Sequence, residues 1–374
     1  MPTPVQYHYS KFPPTNLIWA ELIPFIGPAN AALARYDGTL SAVPNANVLL
    51  SPLTTQEAVL SSRIEGTQAT MGEVLEYEAE GDRKGLTDER KKEDINEVLN
   101  YRHAMWEAIE LLKKLPLCQR IIKESHSVLL GGVRGHGKSP GEYRRIPNWI
   151  GPPGCSMEEA SFVPISADKL NEGMSNWEKY INQTEPDPLV QLAIIHAEFE
   201  ALHPFLDGNG RLGRMCVPLF MFNKKLIQSP MFYISAFFEA NKEEYYNRLQ
   251  TISRDDDWTG WCKFFLRAVT EQAKENQKKA AEILKLYEDQ KAKIIELTHS
   301  QYAIHALDYI FSRPIFRATD FTGCKEIPRP TAQRILSILR DNNILRVLHE
   351  SSGLRAAMYM FTDLMNTAEG KKVF

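Results

Sequence analysis

Residues 203–214 read HPFLDGNGRLGR. Apolar residues recur at helical spacing through residues 187–202 before this stretch and through residues 212–226 after it. A Gly-Asn-Gly loop is therefore predicted between two helices, directly before the N-terminus of the second. Free backbone N–H groups and the positive end of a helix dipole favour an anion at such a position, and the glycines permit close backbone approach. The stretch predicts a phosphate-binding loop.

The side chains around this loop are those that a phosphate-transfer site needs. His203 can accept a proton near neutral pH. Asp207 offers a hard oxygen ligand suited to Mg²⁺, which usually binds one or two carboxylates together with substrate phosphates. Arg211 and Arg214 are three residues apart, so we expect both on one helical face, where they can clamp a polyphosphate. Phe205 is expected to anchor the loop in the core.

The twelve residues resemble the signature of the Fic family, His-Pro-Phe-x-Asp/Glu-Gly-Asn-Gly-Arg-x-x-Arg, and depart from it at no specified position. This resemblance implies a protein adenylyltransferase that transfers AMP from ATP to a Ser, Thr or Tyr hydroxyl of a target protein, or of itself. It also implies that His203 deprotonates the hydroxyl and that Asp207 holds Mg²⁺. The residues implied to bind the nucleotide are Gly208, Asn209, Gly210, Arg211, Leu212, Gly213 and Arg214, with Tyr245 and Tyr246 near the adenosine end. The alternative for the two tyrosines is an amphipathic helix with one ring buried.

Residues 148–164 contain two short extended pieces around Pro152-Pro153-Gly154, a pattern typical of a β-hairpin. With Ala160, Phe162, Val163 and Pro164 behind it, the segment Asn148, Trp149, Ile150 and Gly151 resembles the flap hairpin of the family. The edge of such a flap is expected to hold the target segment by adding it as a further strand.

Ser61-Ser62-Arg63-Ile64-Glu65-Gly66 resembles the inhibitory motif of the family, Ser/Thr-x-x-x-Glu-Gly/Asn. Glu65 follows Ser61 by four residues, so both are expected on one helical face, with the hydroxyl helping to fix that turn. A carboxylate aimed at Arg214 would occupy the guanidinium that the γ-phosphate needs. The resemblance thus implies autoinhibition by Glu65 from within the same chain. The alternative is a solvated glutamate at a helix end.

Residues 301–364 resemble a winged helix, with three helices followed by strand, turn and strand. Thr331–Asp341 is the expected recognition helix, and Ser351-Ser352-Gly353 is the expected tip of the wing. Between Lys325 and Arg355 there are six basic and three acidic residues, a modest positive bias. Weak DNA binding, protein contact and homodimer formation therefore all stay open for this module.

The expected fold is mostly α: a helical Fic core with a small β-hairpin flap, plus a C-terminal winged-helix domain. Before the core, residues 1–50 are expected to form an irregular arm with short helices. Capping boxes at Thr54–Glu57 and Thr70–Glu73 predict two helices with a break near Gly66. The predicted domains are 1–93 (N-terminal arm and inhibitory helix region), 94–270 (catalytic core), 271–298 (linker helix) and 299–374 (winged helix). Further predicted elements are a charged loop at 80–93, helices at 94–114, 119–130 and 166–182, and helix throughout 187–270 except at the Gly-Asn-Gly loop.

Composition narrows the class of protein. A formal net charge of −3 argues against binding of polyanions by bulk electrostatics. No apolar run of membrane-spanning length and no secretory signal stand out, so a cytoplasmic protein without membrane contact is expected. The five cysteines are scattered without a CxxC pair, which favours free thiols over disulfides or zinc.

Two rival functions remain: removal of AMP by the same site, with Glu65 positioning a water, and a DNA-binding regulator whose Fic core is a sensor or vestige.

Overall fold

Helices dominate the protein, as expected from the sequence. The computed structural model describes residues 3–43, 45–81, 88–132, 137–353 and 355–374, except for the side chain of Asn47. The helices are α1 (Trp19–Ala42), α2 (Ala46–Leu49), α3 (Ser51–Ile64), α4 (Met71–Glu80), α5 (Glu89–Leu112), α6 (Gln119–Leu129), α7 (Leu170–Ile181), α8 (Pro188–Leu202), α9 (Asn209–Asn223), α10 (Ser235–Ala240), α11 (Lys242–Asp255), α12 (Trp258–Thr298), α13 (Ala303–Ser312), α14 (Ala318–Thr322), α15 (Arg329–Asp341) and α16 (Thr362–Glu369). The strands are β1 (Val5–Gln6), β2 (Phe162–Val163), β3 (Ile315–Arg317), β4 (Arg346–His349) and β5 (Met358–Met360).

The N-terminal region is the first place where the prediction is wrong. Instead of an irregular arm, α1 forms one helix of 24 residues that contains Pro24 and Pro28. Each interior proline removes a hydrogen bond and costs about 3 kcal/mol. A stripe of buried side chains, including Leu33 and Tyr36, offsets that cost, because each large apolar side chain contributes roughly 1.5–3 kcal/mol on burial.

The two predicted capping boxes have different outcomes. At Thr70 the box is confirmed: the Glu73 N–H donates to Thr70 Oγ1 at 3.3 Å, and the Thr70 N–H donates to the Glu73 carboxylate at 3.0 Å. At Thr54–Glu57 the prediction is wrong, because α3 already begins at Ser51 and the predicted box lies inside the helix. Pro52 explains the earlier start, since a proline fits the first turn of a helix, where its N–H is not needed.

Several predicted helices have different bounds. Helix α5 begins five residues before the predicted position 94, and residues 82–87 of the predicted charged loop lie outside the described residues. Residues 224–234 and 256–257 interrupt the region 187–270, which was predicted to be helical apart from the Gly-Asn-Gly loop. Residues 271–298 lie inside α12, which begins at Trp258 and continues because no proline or further glycine follows Gly260.

Contacts divide the chain into two compact units. The first comprises Met1–Asp37, Leu60–Thr67 and Leu99–Lys274, and the second comprises Gly38–Val59, Gln68–Val98 and Glu275–Phe374. In the first unit α8 packs between α7 and α9, and its side chains are buried almost without exception. A helix with apolar residues on all sides is typical of the centre of a core, so this unit is built around α8.

The flap segment, which belongs to the first unit, has less sheet than the sequence predicts. A single antiparallel bridge joins Ile150 and Phe162, and the expected two-stranded hairpin is reduced to it. On its other side, β2 pairs in parallel with β1, with Val5 opposite Phe162. Strand β1 was not predicted, since two residues are too few for a periodic pattern to emerge. One edge of the flap is therefore occupied by the N-terminal segment of the same chain.

In the second unit, residues 303–369 form an antiparallel sheet in the order β3–β5–β4 with helices packed against it. The predicted series of helices followed by strand, turn and strand is present. The strand β3 between α13 and α14 and the terminal helix α16 were not predicted. Within the described ranges, no helix combines the length and apolar character that crossing a bilayer requires.

Candidate functional site

The loop 203–208 lies in the first unit, between α8 and α9. Asp187 begins α8 by accepting the Leu189 and Val190 N–H groups at 2.9 Å, a typical N-cap. The helix ends at His203, whose φ of 46° turns the chain into the loop. Asn209 fixes the loop by accepting the Phe205 N–H and donating to the Phe205 carbonyl, both at 2.8 Å.

His126 on α6 supports the loop from the side. Its ring stacks on Phe205 with centroids 3.7 Å apart. Nδ1 accepts the Gly141 N–H at 2.8 Å, so Nε2 carries the proton that it donates to the Asp207 carbonyl at 3.0 Å. Burial lowers the pKa of His126 to about 4, which keeps the ring neutral. Sequence reasoning missed this residue because a lone histidine in an amphipathic helix gives no signal of its own.

His203 lines a cavity beside the loop. Its Nδ1 lies 3.4 Å from the Glu200 carbonyl, which favours a proton on Nδ1 and leaves the Nε2 lone pair free. Burial lowers the pKa of His203 to about 4, although the charge of Glu65 acts in the opposite direction. At neutral pH the ring is therefore unprotonated, the state that a general base requires.

This environment predicts the titration of His203 in the free protein. With a pKa of about 4, roughly 3% of the rings are doubly protonated at pH 5.5, against roughly 90% for an ordinary histidine. We expect its C2-proton NMR resonance, assigned by comparison with His203→Ala, to keep the neutral position from pH 8 to 5.5. In Glu65→Gly the pKa should fall further, because the negative charge that raises it is gone. A midpoint near 6.5 would contradict this description of the site.

Arg144 holds the C-terminal end of α8. Its buried guanidinium donates to the carbonyls of His203 at 2.9 Å and Leu202 at 3.2 Å, and to the carbonyls of Ile146 and Ile165. Burial lowers its pKa to about 10. Two of these acceptors, the Leu202 and His203 carbonyls, are among those that a helix leaves without partners at its end. The sequence did not point to Arg144, because its acceptors are backbone carbonyls, two of them 58 and 59 positions away.

Arg214 is fully buried on α9 and donates to the end of α3 and to Glu65, which follows it. It donates to Ser61 through the hydroxyl at 2.9 Å and the carbonyl at 2.8 Å, and to Glu65 Oε1 at 2.6 Å. Burial alone would raise the pKa of Glu65, but the charge and hydrogen bond of Arg214 hold it below its ordinary value. The predicted pair of Glu65 and Arg214 is thus present in the structure. The Ser61 hydroxyl accepts from Arg214, whereas we expected it to fix its own helical turn.

The Glu65 carboxylate also lies against the N-terminus of α9. A Cβ built on Gly210 would lie 2.2 Å from Glu65 Oε1, so only glycine allows this approach. An anion at this position lies beside the first turn of α9, the end of a helix that favours negative charge. Glu65 therefore occupies the place where the sequence predicts a phosphate.

Asp207 is half exposed at the loop, and one of its two carboxylate oxygens accepts hydrogen bonds from neighbouring residues. Oδ1 accepts the Gly208 N–H at 2.6 Å and Arg211 Nη2 at 3.3 Å. In the described ranges, the one cluster of three side chains with metal-ligand chemistry is Glu76, Glu80 and His349, which lies in the second unit. A cation at Asp207 would thus have a single protein carboxylate and would need further oxygens from a substrate, the arrangement that Mg²⁺ commonly adopts.

A cavity of about 420 Å³ connects these groups, and its size is within the range of small-molecule sites. Predicted site residues that line it are Glu65, Ile150, Gly151, His203, Gly210, Arg214, Tyr245 and Tyr246. Predicted residues outside the lining are Ser61, Asn148, Trp149, Asp207, Gly208, Asn209, Arg211, Leu212 and Gly213.

The two tyrosines differ in their surroundings. Tyr245 is buried, and its hydroxyl donates to Nε2 of His196 at 2.9 Å, while the His196 Nδ1–H donates to the Gly213 carbonyl. Burial lowers the pKa of His196 to about 3, so this ring is neutral. The exposed ring of Tyr246 is accessible from the cavity. The alternative of an amphipathic helix with one buried ring describes Tyr245, although both tyrosines line the cavity.

Glu200 is a further carboxyl group of the lining that the sequence did not indicate. Burial raises its pKa to about 7. Its Oε1 packs against Gly213 and has no hydrogen-bond partner among the described residues. The cavity therefore contains two carboxyl groups of different character: Glu65 is ionised and paired, and Glu200 is partly protonated near neutral pH.

Family models match two adjoining parts of the chain. The Fic/DOC family N-terminal model matches residues 23–110, and the Fic/DOC family model matches residues 116–221, so that together they span more than half of the 374 residues. The chain belongs to the Fic/DOC family. The N-terminal match contains Ser61 and Glu65, and the second match contains the flap segment and the loop 203–214. Tyr245 and Tyr246 lie beyond both matches.

Curated relatives of this Fic/DOC chain carry the name protein adenylyltransferase Fic. The protein from Drosophila grimshawi is 29% identical over 187 residues, which is 47% of this chain and 35% of the relative. The protein from Drosophila willistoni is 28% identical over 196 residues, which is 50% of this chain and 36% of the relative. The chain thus spans about a third of the length of these relatives.

Solved structures share the fold of this Fic/DOC chain. A Fic family protein from Desulfovibrio desulfuricans G20 superimposes with a TM-score of 0.57 at 20% identity and covers 91% of this chain and 96% of its own. Fic-1 from C. elegans gives a TM-score of 0.51 at 17% identity over 72% of this chain and 75% of its own. At this level of identity the likeness establishes the fold.

Proposed function

We propose that this Fic/DOC family chain is a nucleotidyltransferase that transfers AMP from ATP to a Ser, Thr or Tyr hydroxyl of a target protein or of itself, and that Glu65 inhibits it. One observation carries the proposal: a single cavity joins an unprotonated histidine, the N-terminus of α9 and Arg214, and the Glu65 carboxylate blocks the last two. The names of the Drosophila relatives support the same chemistry.

The proposed reaction is an in-line displacement at the α-phosphorus. The target hydroxyl gives its proton to Nε2 of His203, and its oxygen forms a bond to the α-phosphorus of ATP. The bond from that phosphorus to the bridging oxygen breaks, and pyrophosphate leaves. The cavity side chains position these groups, which is the main contribution of a protein to phosphoryl-type transfer.

The binding mode follows from the cavity lining. We place the α- and β-phosphates at the N-terminus of α9, beside Gly210, and the γ-phosphate on Arg214 once Glu65 has moved away. The adenosine end would then lie toward Tyr246, Leu249 and Gln250, which line the same cavity. In Glu65→Gly, ATP analogues that lack the γ-phosphate should bind more weakly than ATP. In Glu65→Gly/Arg214→Ala this difference should be absent, as calorimetric titration can measure.

Asp207 fits the role of a Mg²⁺ ligand, because it offers one hard carboxylate half exposed beside the phosphate loop. When bound, the ion would neutralise polyphosphate charge. We expect Asp207→Ala, in the Glu65→Gly background, to lower AMP transfer at least tenfold at saturating ATP and to weaken its dependence on Mg²⁺. Labelled AMP incorporation across a Mg²⁺ series checks this.

The matched control for that experiment is Asp255→Ala, which removes an exposed aspartate that likewise pairs with a nearby arginine, Arg254. This variant should keep the activity and the Mg²⁺ dependence of its parent. If Asp207→Ala behaved like Asp255→Ala, and if EDTA also left transfer unchanged, the metal assignment would be wrong.

The flap offers one edge for the target segment. Because β1 covers β2, we propose the opposite edge, where Trp149 and Gly151 flank the bridged residue Ile150. In an antiparallel ladder, residues on either side of a bonded position turn their N–H and C=O groups outward. Binding of a target protein should therefore shift the backbone amide resonances of Trp149 and Gly151 and leave those of Val5 and Gln6 in place. The reverse pattern would assign the target to the edge now held by β1.

Removal of AMP is the second candidate function, because Glu65 lines the same cavity as His203 and can position a water there. Incubation with a pre-adenylylated target separates the two functions. Release of AMP that depends on Glu65 would favour the removal reaction. AMP transfer is supported if the protein acquires label from ATP labelled at the α-phosphate but not from ATP labelled at the γ-phosphate.

For residues 299–374 we propose a winged-helix module that acts in protein contact, homodimer formation included. Two of the three arginines of α15 support this choice over DNA binding, because each is engaged within the protein. Arg340 is paired with Asp341 at 2.8 Å, and Arg334 donates to the Thr298 carbonyl at 3.0 Å. DNA affinity should then be weak. A strong, salt-dependent mobility shift with duplex DNA would overturn the proposal.

A further inference from the structure

We propose that Lys242 is a positioning residue of the Glu65 switch: its ammonium group binds the last carbonyl of α3 and so keeps Glu65 on Arg214. This inference rests on the inhibitory role proposed above for Glu65. Lys242 is then a second cation, besides Arg214, that holds residues 61–65 in place, and it lies outside the 203–214 stretch.

The contact itself is short and well placed. Lys242 Nζ donates to the Ile64 carbonyl at 2.6 Å. Ile64 is the final residue of α3, is buried, and directly precedes Glu65. Its carbonyl is one of those that a helix leaves without partners at its C-terminus. Fixing this carbonyl fixes the peptide group from which Glu65 projects.

The positive charge of Lys242 is favourable at the end of α3 and unfavourable in its own helix, α11. Lys242 is the first residue of α11, where the positive end of the helix dipole disfavours a cation. Its ammonium instead lies at the C-terminus of α3, where the dipole is negative and a cation is favoured. The unfavourable placement in α11 is thus offset by the contact with α3.

Lys242 and Arg214 hold the last turn of α3 at two different points. Arg214 binds the Ser61 carbonyl, and Lys242 binds the Ile64 carbonyl. Local backbone bonds also shape this end: the Glu65 and Thr67 N–H groups donate to the Ser62 carbonyl, and the Gly66 N–H donates to the Arg63 carbonyl. Local bonds shape the turn, but the two cations fix it against the cavity wall.

Lys242 also faces the nucleotide cavity. It contributes to the lining, and Nζ lies 5.9 Å from the centre of the Tyr246 ring. The ammonium group thus lies where the end of α3 meets the cavity.

A matched control exists in the same unit. Lys224 Nζ donates to the Gln183 carbonyl at 3.0 Å and lies 5.5 Å from the centre of the Phe220 ring. It therefore makes the same two kinds of contact just beyond the end of α7, away from the cavity. Lys224→Met removes equivalent interactions without touching α3.

The test measures self-labelling with AMP in wild type, Lys242→Met, Lys242→Arg, Lys224→Met, Glu65→Gly and Glu65→Gly/Lys242→Met. Loss of one charged hydrogen bond predicts a gain of roughly tenfold for Lys242→Met. We expect little gain for Lys242→Arg, which can still donate, and none for Lys224→Met. In the Glu65→Gly background, Lys242→Met should add nothing further, because the group that it positions is absent.

Amide hydrogen exchange gives a readout that does not depend on activity. The Glu65 and Thr67 amides should exchange roughly tenfold faster in Lys242→Met than in wild type or Lys224→Met. Unchanged exchange would overturn the positioning role, and so would loss of activity on adding Lys242→Met to Glu65→Gly, since Lys242 would then contact the nucleotide directly. Absence of a gain in Glu65→Gly would instead refute the inhibition proposed for Glu65, and the exchange rates would still decide the role of Lys242.

Discussion

We expect Glu65→Gly to label itself with AMP at least tenfold faster than the wild-type protein. In the present structure Nε and Nη2 of Arg214 donate to Ser61 and Glu65, so these two nitrogens are not available to a γ-phosphate. Removal of the carboxylate frees one side of Arg214 and also clears the space beside Gly210. Correct alignment of the α-phosphorus contributes several kcal/mol, and about 1.4 kcal/mol already corresponds to tenfold in rate.

The double variant Glu65→Gly/Arg214→Ala tests the reason for that gain. Because the freed guanidinium is absent, the double variant should fall back toward the wild-type rate. Glu65→Gln is the second comparison, since it keeps the size of the side chain but removes the charge that pairs with Arg214. Equal or lower labelling in Glu65→Gly than in wild type would contradict autoinhibition and favour the role of Glu65 in positioning a water.

The largest loss is expected from His203→Ala, made in the Glu65→Gly background so that the starting activity is high. General-base catalysis typically contributes 10²–10⁴-fold, and we expect a fall of about that size in the rate of AMP transfer at saturating ATP. ATP affinity should change little, because the proposed phosphate contacts belong to α9 and Arg214.

The control for this variant is His103→Ala, which removes an exposed histidine of α5. Its rate should equal that of the parent. A His203→Ala protein with the rate of His103→Ala would show that another group takes the proton. Glu200, with a pKa of about 7, would then be the first candidate.

Local sequence patterns predicted part of the local geometry. Gly208 lies at the turn before α9 with a positive φ, as a glycine loop requires, but Asn209 and Gly210, which were predicted to belong to the loop, form the first turn of the helix. The capping box at Thr70 depends on four neighbouring residues, so the local pattern was sufficient. The pair of Glu65 and Arg214 joins distant positions, and there the family resemblance supplied the partner.

The missed features depend on contacts between distant segments. Arg144 is recognisable only when the end of α8 lies beside it, and β1 exists only because β2 offers it an edge. Helix α1 formed against the propensity of its two prolines, because burial of its apolar stripe outweighs their cost. The contact of Lys242 with the end of α3 joins residues 178 positions apart. Tertiary contacts of this kind leave no periodic or local trace in a single sequence.

The most direct test of the central claim is intact-mass spectrometry of Glu65→Gly and Glu65→Gly/His203→Ala after incubation with ATP and Mg²⁺. An enzyme that transfers AMP and is held back by Glu65 should show, in the single variant, added mass equal to one or more AMP groups. The double variant should keep the unmodified mass. No added mass in Glu65→Gly, or equal addition in both variants, would contradict the proposed function.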